Sequence, residues 1–217
     1  MFDFSPDETT RLLLDTVRGF VRTELVPLED EVERNGALAP GRAAEIFAKS
    51  RALGLYAMNM PCELGGGGLS AVQICLVEEQ FGHTKDILVR RAFGNAYEVL
   101  LECRGAQRER WLVPVVRGER VCSIAITEPD AGSDAAGIHT RAIRDGDGWR
   151  LNGAKHFVSD GLFSDFFVVS AVTDPGANGR DISLFLVDKS TVGVRVGRDQ
   201  PMMGLAGTSH VELFFDD

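Results

Sequence analysis

Hydroxyl, carboxylate and glycine residues are packed together in one short segment, Thr127-Glu-Pro-Asp-Ala-Gly-Ser-Asp134. The segment follows an apolar run, Val121 to Ile126, that is predicted to be a strand. Pro129 restricts its own φ and Gly132 can adopt a positive φ, so the chain is expected to turn sharply here. Such a turn leaves several backbone N–H groups free to face a ligand. The residues alone do not separate a binding loop from an ordinary hairpin loop.

A second polar group lies in Asn152-Gly-Ala-Lys-His-Phe-Val-Ser-Asp-Gly161, after a predicted hairpin turn at Asp145 to Gly148. The period of a strand places Phe157 and Ser159 on the same face. A ring and a hydroxyl in this arrangement could contact one flat ligand. A core phenylalanine and a strand-end hydroxyl that bonds local backbone are the alternatives. Lys155 is predicted to be a solvated strand residue.

Other chemistries are disfavoured by the spacing of the residues they need. Ser133 lacks the G-x-S-x-G context of a nucleophilic serine, and no histidine is evidently paired with it. Asp145 to Gly148 lacks the later ligands of a calcium loop. The four histidines show no metal-ligand spacing, so no metal site is predicted. The four cysteines contain no C-x-x-C pair, which predicts free, buried thiols in a reducing compartment.

The composition is that of an ordinary globular protein. The chain has 217 residues, 44% hydrophobic and 25% charged, with a formal net charge of −9. This acidic balance argues against a nucleic-acid surface and against an anionic membrane surface. The N-terminal residues lack the basic region and apolar core of a secretory signal, and no run is long enough to span a bilayer. A cytoplasmic location is therefore expected.

The spacing of apolar residues divides the chain into a helical part and a strand part. Residues 1–118 show steps of three and four and are predicted to form an N-terminal helical domain. Residues 119–217 become strand-like, which predicts a middle β domain. Helices followed by strands, without βαβ alternation, predict an α+β chain and disfavour a Rossmann domain. The candidate strands are 121–126, 138–144, 149–152, 155–159, 166–172, 182–187, 192–196 and 211–215.

Local signals predict where the first helices start and break. Ser5-Pro6-Asp7-Glu8 is predicted to start the first helix, with Ser5 as its N-cap. Pro27 is predicted to kink or interrupt that helix. The four glycines at 65–68 favour a flexible helix–helix connection over a phosphate-binding loop, because they lack the lysine of a P-loop.

Further helices are predicted in the second half of this helical part. Ser70 and Gln73 form a capping-box pattern, which predicts a helix that reaches about Phe81. That helix is apolar on most faces and is therefore expected to be buried. A further helix is predicted from about Asp86 to Cys103.

The two polar segments together resemble the signature segments of the acyl-CoA dehydrogenase family. Thr127 to Asp134 and Asn152 to Gly161 match in order and spacing, and the Asp-Gly hairpin lies between them as it does in the family. Two coupled motifs are more specific than a lone glycine pattern. The resemblance implies an all-α helical bundle followed by an antiparallel β-barrel or sandwich. It covers the first two of the family's three domains, with the C-terminal helical domain absent.

The resemblance also implies a flavin site. Strand 121–126 and the loop after it would run along the isoalloxazine ring of FAD, with Thr127 on the pyrimidine side. Phe157 would pack on the ring face, where many members have tryptophan, and Ser159 would replace the usual threonine near N5. Ser133 would meet the flavin diphosphate and the pantetheine arm of the substrate. The residues assigned to cofactor binding are Ile124, Ala125, Ile126, Thr127, Gly132, Ser133, Phe157, Val158 and Ser159.

Members of the family remove the α-proton of an acyl-CoA with a glutamate base and pass hydride to flavin N5, giving the 2,3-enoyl-CoA. The resemblance therefore implies an FAD-dependent acyl-CoA dehydrogenase. No catalytic residue is assigned, because the family's base lies beyond residue 217 and neither Glu98 nor Glu128 occupies its position. Since proton abstraction needs a positioned carboxylate, this chain alone is expected to be inactive.

The partners implied by the resemblance are an acyl-CoA substrate, an electron-transfer flavoprotein and further copies of the chain in a dimer or tetramer. Neither a nucleic acid nor a membrane is expected. The alternative function is a non-catalytic subunit, or half of a split acyl-CoA dehydrogenase-like heteromer. Relatives with the same fold that oxidise nitroalkanes or hydroxylate aromatics are a further reading within the enzyme class.

Overall fold

The computed structural model describes residues 5–174 and 181–216. The chain forms two compact units. The first comprises Met1–Glu119 with Met203–Thr208, and the second comprises Arg120–Met202 with Ser209–Asp217. The first unit is helical and the second is built on one sheet. In the part of the chain that the structure describes, no helix has the length and apolar character needed to cross a membrane.

The first unit packs its helices around an apolar core. Phe93 lies at the centre of an aromatic group, 5.5 Å from Phe20 in an edge-on contact and 4.3 Å from Phe81 in a stacked one, centroid to centroid. The helices of the described residues are α1 (Glu8–Phe20), α2 (Glu29–Asn35), α3 (Pro40–Ala52), α4 (Ala71–Phe81), α5 (Asp86–Phe93) and α6 (Val113–Val116). Single tighter or wider turns lie at Val21–Leu25, Val26–Leu28, Cys62–Leu64, Glu98–Glu102 and Arg108–Leu112.

The first helix starts two residues later than predicted. Its N-cap is Asp7, whose carboxylate accepts a hydrogen bond from the backbone N–H of Thr10 at 2.7 Å, and the prediction of Ser5 is wrong. An aspartate accepts from a free helix N–H as well as a serine does, so the pattern contained two valid caps. The interruption predicted at Pro27 is confirmed, because a wide turn and a 3₁₀ turn separate α1 from α2 there.

The capping box at the start of α4 is confirmed. The Ser70 hydroxyl accepts from the Gln73 N–H, and the Gln73 side chain accepts from the Ser70 N–H. The expectation that α4 is buried is wrong, since only Val77 and Gln80 are buried in it. The helix predicted from Asp86 to Cys103 ends at Phe93. Gly94 has a φ of +69°, and the Tyr56 ring fills the place where a β-carbon would project.

The glycine-rich segment is a helix connection, as predicted. The N–H groups of Gly66, Gly67 and Gly68 donate to backbone carbonyls of the preceding loop, at 3.1, 3.2 and 2.8 Å. Because these donors are used internally, they cannot also cradle a phosphate. A β-carbon at Gly66 would lie 2.2 Å from the carbonyl oxygen of Met60, which explains why the close packing needs glycine.

The prediction of buried thiols is correct for only two of the four cysteines. All four are free; Cys103 and Cys122 are buried, whereas Cys62 and Cys75 are exposed. Burial raises the pKa of the Cys103 thiol, and the charge of Arg108 opposes this only in part.

The second unit is built from seven strands: β1 (Cys122–Ala125), β2 (Arg141–Asp145), β3 (Gly148–Ser159), β4 (Phe166–Asp174), β5 (Asp181–Asp188), β6 (Val194–Asp199) and β7 (His210–Phe215). They form a mixed sheet in the order β1-β4-β2-β3-β7-β6, with β5 on the other edge of β4. The predicted α+β fold is confirmed, but the sheet is not purely antiparallel as predicted, because β1 and β2 pair with β4 in parallel. The strands predicted at 149–152 and 155–159 form one continuous strand, β3.

Strands β1 and β2 lie one after the other along the same edge of β4. The β1 ladder ends with Ala125 opposite Val169, and the β2 ladder meets β4 with Arg141 opposite Val172. Residues 126–140 therefore leave the sheet in the gap between the two ladders. The predicted hairpin after β2 is confirmed, with Asp145 paired to Gly148 across a two-residue turn.

Candidate functional site

The polar segment after β1 closes a tight turn. The N–H of Glu128 donates to the Ala131 carbonyl at 2.9 Å, and the N–H of Ala131 donates back at 3.2 Å. Pro129 occupies the second turn position, where its fixed φ is favourable. Ala131 then packs with Ile138 and Val172 in a small buried cluster. The turn is therefore fixed to the sheet by both hydrogen bonds and apolar contact.

The Glu128 carboxylate closes the loop from within. One oxygen accepts from the backbone N–H of His139 at 2.6 Å, and the other from the N–H of Thr140 at 3.0 Å. Glu128 is 6% exposed. Because these N–H groups precede β2, the carboxylate ties the start of the loop to its end.

Lys155 is buried, and the prediction that it is solvated is wrong. Its side chain is 0% exposed, and Nζ lies 2.7 Å from Glu128 Oε1. The same nitrogen donates to the carbonyl of Ile126 at 3.0 Å and to the hydroxyl of Ser170 at 3.1 Å. An ammonium has three donors, so every one of them has an acceptor. The three acceptors lie on β4 and on the loop between β1 and β2.

Burial and pairing act in opposite directions on this ion pair. For Glu128, burial alone would raise the carboxyl pKa, but the hydrogen bonds from Lys155, Thr140 and His139 together outweigh it and lower that pKa. For Lys155, burial lowers the ammonium pKa, and Glu128 restores only part of the difference. The ammonium is the form that satisfies all three acceptors, and the carboxylate is the form that accepts from both backbone N–H groups.

The C-terminal part of β3 carries a bulge with a left-handed backbone. Two residues, His156 and Phe157, lie opposite the single residue between the paired positions of β7. Phe157 has a φ of +53° and Asp160 a φ of +58°, both unusual for residues with a β-carbon. The Phe157 side chain is 47% exposed, whereas Val158 next to it is 1% exposed. The bulge therefore turns an aromatic ring outward from a strand whose next residue is core.

The loop and the bulge meet through two hydrogen bonds. The N–H of His156 donates to the Thr127 carbonyl at 2.7 Å. The hydroxyl of Ser123, in β1, donates to the Ser159 carbonyl at 2.5 Å. Thr127 and Phe157 are thus held on adjoining segments, as are β1 and Ser159.

The residues beside Phe157 restrict its surroundings further. The His156 ring lies 4.6 Å from the Phe157 ring, centroid to centroid, in an edge-on contact. His156 Nε2 lies 3.3 Å from a carboxylate oxygen of Glu212 and also contacts the side-chain amide of Gln200. The hydrogen bond from His156 lowers the pKa of the Glu212 carboxyl, with smaller contributions from its other neighbours.

The predicted cofactor residues fall into three groups by their exposure. The side chains of Ala125 and Val158 are buried in the core of the sheet, so only their backbone is available to a ligand. Ile126 and Phe157 are exposed, and Gly132 and Ser133 lie on the exposed part of the loop. The half-exposed residues are Ile124, Thr127 and Ser159.

Several donors of this surface have no protein partner among residues 5–174 and 181–216. The hydroxyls of Thr127, Ser133 and Ser159 make no hydrogen bond there, and neither do the N–H groups of Gly132 and Ser133. The alternative in which Thr127 and Ser159 bond local backbone through their hydroxyls is therefore not found. Free hydroxyls and amides next to an exposed ring are the groups that the pyrimidine edge, ring face and phosphates of a flavin need.

Sequence reasoning missed the Glu128–Lys155 pair. Strand alternation would place Lys155 and Phe157 on one face, but the bulge between them sends one side chain inward and the other outward. There was little signal for this burial in the sequence, because both residues lie in segments rich in polar residues and glycine. The partner itself, Glu128, is apparent only once the loop is folded.

Comparison with known proteins identifies the chain. The family model described as "Acyl-CoA dehydrogenase, N-terminal domain" matches residues 7–119, and the one described as "Acyl-CoA dehydrogenase, middle domain" matches residues 123–217. The chain belongs to the acyl-CoA dehydrogenase family. The resemblance inferred from its two motifs is confirmed, and the two matched domains correspond to the helical and sheet regions.

Three relatives show what other members of the acyl-CoA dehydrogenase family do. Cyclohex-1-ene-1-carbonyl-CoA dehydrogenase of Syntrophus aciditrophicus is 33% identical, over 97% of this chain and 51% of its own length. The caffeyl-CoA reductase-Etf complex subunit CarC of Acetobacterium woodii is 32% identical, over 97% of this chain and 56% of its own length. An acyl-CoA dehydrogenase from Bacillus anthracis, solved in complex with FAD, has a TM-score of 0.82 and 26% identity. The match covers 100% of this chain and 38% of the solved chain. The chain spans about half the length of the curated relatives it matches.

Proposed function

We propose that this chain forms the helical and middle domains of an FAD-dependent acyl-CoA dehydrogenase, with the flavin bound against the sheet unit. The observation that carries the proposal is the hydrogen bond from the His156 N–H to the Thr127 carbonyl. It joins the loop to the bulge and leaves an exposed ring and unpaired hydroxyls on adjoining segments. The family supports FAD as the cofactor, since one relative was solved with it.

Each residue of the surface has a role in this proposal. The Phe157 ring covers one face of the isoalloxazine, and the Thr127 and Ser159 hydroxyls donate to its polar edge. The free N–H groups of Gly132 and Ser133 face the diphosphate, where backbone donors suit an anion. Ser133 also contacts the pantetheine arm of the acyl-CoA. Ile124, Ala125, Ile126 and Val158 contribute backbone or packing beneath the ring.

The bound flavin supplies the acceptor for hydride from the β-carbon of the acyl group. None of the carboxylates described in the sheet unit is proposed as the base that removes the α-proton. Glu128 is excluded by its contacts, because Lys155 and two backbone N–H groups occupy its oxygens. We propose that the base belongs to the part of the family's length that this chain does not span. The electron acceptor is proposed to be an electron-transfer flavoprotein, in keeping with the Etf complex of CarC.

The test is flavin content followed by substrate reduction. Protein that carries this chain is purified, its absorbance spectrum is recorded, and acyl-CoAs of different chain length and branching are added without oxygen. The proposal expects bound FAD and bleaching by at least one acyl-CoA, with the enoyl-CoA identified by mass spectrometry. Bound flavin that no acyl-CoA bleaches in a full-length version would refute the dehydrogenase and favour the non-catalytic subunit.

A variant series tests the assigned site. Replacing Ser159 with alanine removes one hydrogen bond, so the affinity for FAD is expected to fall about fivefold, equivalent to about 1 kcal/mol. Thr191→Ala is the matched control, since its hydroxyl lies in the turn before β6, away from the loop and the bulge. Equal affinities of the Ser159 variant and the control would remove Ser159 from the site.

A further inference from the structure

The buried Lys155 lies where the sheet is interrupted. Strand β4 pairs with β1 up to Val169 and with β2 from Val172, so two β4 residues lie opposite the gap. The Lys155 ammonium donates to Ser170, in that gap, and to the carbonyl of Ile126, the first residue after β1. Lysine thus supplies donors where the ladder has no neighbouring strand.

The same ammonium reaches the loop through Glu128. The Glu128 carboxylate also accepts hydrogen bonds from the backbone N–H groups of His139 and Thr140, which lie just before β2. The three acceptors of Lys155 and the two donors to Glu128 therefore join both ends of the loop to β3 and β4. Lys155 immediately precedes His156, whose N–H holds the Thr127 carbonyl.

We propose that Glu128 and Lys155 are positioning residues that set the conformation of the loop at 127–137 against the bulge of β3. The inference rests on the flavin site proposed above and deepens it, since neither side chain touches the cofactor in that site. Their effect acts through Thr127, whose carbonyl and hydroxyl belong to the held segment. The proposed role depends on the lengths and directions of these hydrogen bonds. A carboxylate that could not reach the Lys155 ammonium and both backbone N–H groups would not close the loop.

The competing explanation is a pair that contributes only to stability. A buried ion pair is weak evidence for stability, because apolar residues of similar volume often replace it without loss, whereas removal of one partner leaves an unpaired buried charge. The two explanations therefore differ in what a double substitution does. A merely structural pair can be replaced as a unit, and a positioning pair cannot.

The experiment compares Lys155→Met, Glu128→Gln and the double variant with the unaltered protein. The single variants are expected to unfold at lower temperature, and the double variant to recover most of that loss. In the flavin-free protein, the amides of His139, Thr140 and His156 are expected to exchange hydrogen faster in the double variant. The affinity for FAD is expected to stay about 10- to 100-fold weaker, by analogy with the loss of groups that orient metal ligands.

Two further variants sharpen the comparison. Glu128→Asp keeps the charge but shortens the side chain. Its affinity for FAD is expected to be as weak as that of Glu128→Gln and not to reach that of the unaltered protein. The control is the double variant Asp145→Asn with Arg150→Met, which removes an exposed ion pair of 2.7 Å in the β2–β3 hairpin. This control is expected to leave amide exchange and FAD affinity unchanged.

The outcomes separate this inference from the proposed function. A double variant that binds FAD as tightly as the unaltered protein, with unchanged amide exchange, would overturn the positioning role. If the unaltered protein binds no FAD, the proposed function fails. Faster exchange of the three amides in the double variant would in that case still support the positioning of the loop.

Discussion

The left-handed backbone of Phe157 leads to a prediction whose sign is opposite to the usual one. In an ordinary strand, alanine is more stable than glycine by about 0.5–1 kcal/mol, because glycine loses more conformational freedom on folding. At Phe157 the φ of +53° adds a penalty of about 1–2 kcal/mol for any residue with a β-carbon. Phe157→Gly is therefore expected to be more stable than Phe157→Ala by roughly 0.5–1 kcal/mol.

The measurement is urea unfolding of both variants without flavin, with a matched pair at Ile143 as control. Ile143 lies in β2, is 64% exposed and does not have a positive φ. Ile143→Ala is therefore expected to be more stable than Ile143→Gly. Both variants at one position have lost the original side chain. The difference in free energy of unfolding between alanine and glycine therefore does not contain the effect of that loss.

Flavin binding separates the strain from the function. Both Phe157 variants lack the ring, so both are expected to lose about 0.5–1.5 kcal/mol of aromatic contact with FAD, or roughly 2- to 12-fold in affinity. An alanine variant at Phe157 that is as stable as the glycine variant would refute the left-handed conformation. Unchanged FAD affinity in both variants would instead refute the contact between the ring and the flavin.

Two other predictions concern stability. Hydrogen bonds lower the pKa of the Glu128 carboxyl in the folded chain. The ionised carboxylate therefore contributes fully to the free energy of unfolding above its unfolded pKa of about 4.3, and this contribution is lost as the pH falls through the folded pKa. Urea unfolding over an acid pH series is expected to show this loss, and Lys155→Met is expected to reduce the slope; an unchanged slope would contradict the assignment. Gly153→Ala would place a β-carbon 2.6 Å from Thr140 Oγ1, so a loss of about 1–3 kcal/mol is expected. Gly41→Ala, with nothing within 4 Å, is the control, and an equal effect of both would argue against the close approach.

The features predicted correctly depend on residues close together in the chain. The capping box of Ser70 and Gln73 and the Asp145 to Gly148 hairpin need only local hydrogen bonds and a permitted φ. The family resemblance could be inferred because each of its two motifs is a short, ordered run of residue types. In these cases the physics that selects the structure acts within a few residues.

The features that were missed depend on pairings between distant residues. The parallel contact of β1 with β4 joins residues about forty positions apart, and no local period distinguishes it from an antiparallel one. The burial of Lys155 requires the gap in the β4 ladder and the loop that Glu128 closes. The early end of α5 is different, because the positive φ of Gly94 that ends the helix is a local feature; only the contact of Tyr56 beside Gly94 is distant in sequence.

The location of the energetic costs supports a functional reading of this part of the sheet. Strained backbone at Phe157 and Asp160 persists only where surrounding contacts over-determine it. The desolvated pair of Glu128 and Lys155 lies on the segments directly joined to that strain, through the hydrogen bond of His156. An apolar pair and a regular strand would meet the needs of folding alone. Here the backbone strain and the desolvated ion pair lie on two adjoining segments, with unpaired hydroxyls between them. Such destabilising features are expected where a sequence is selected for the position of a loop and not for stability.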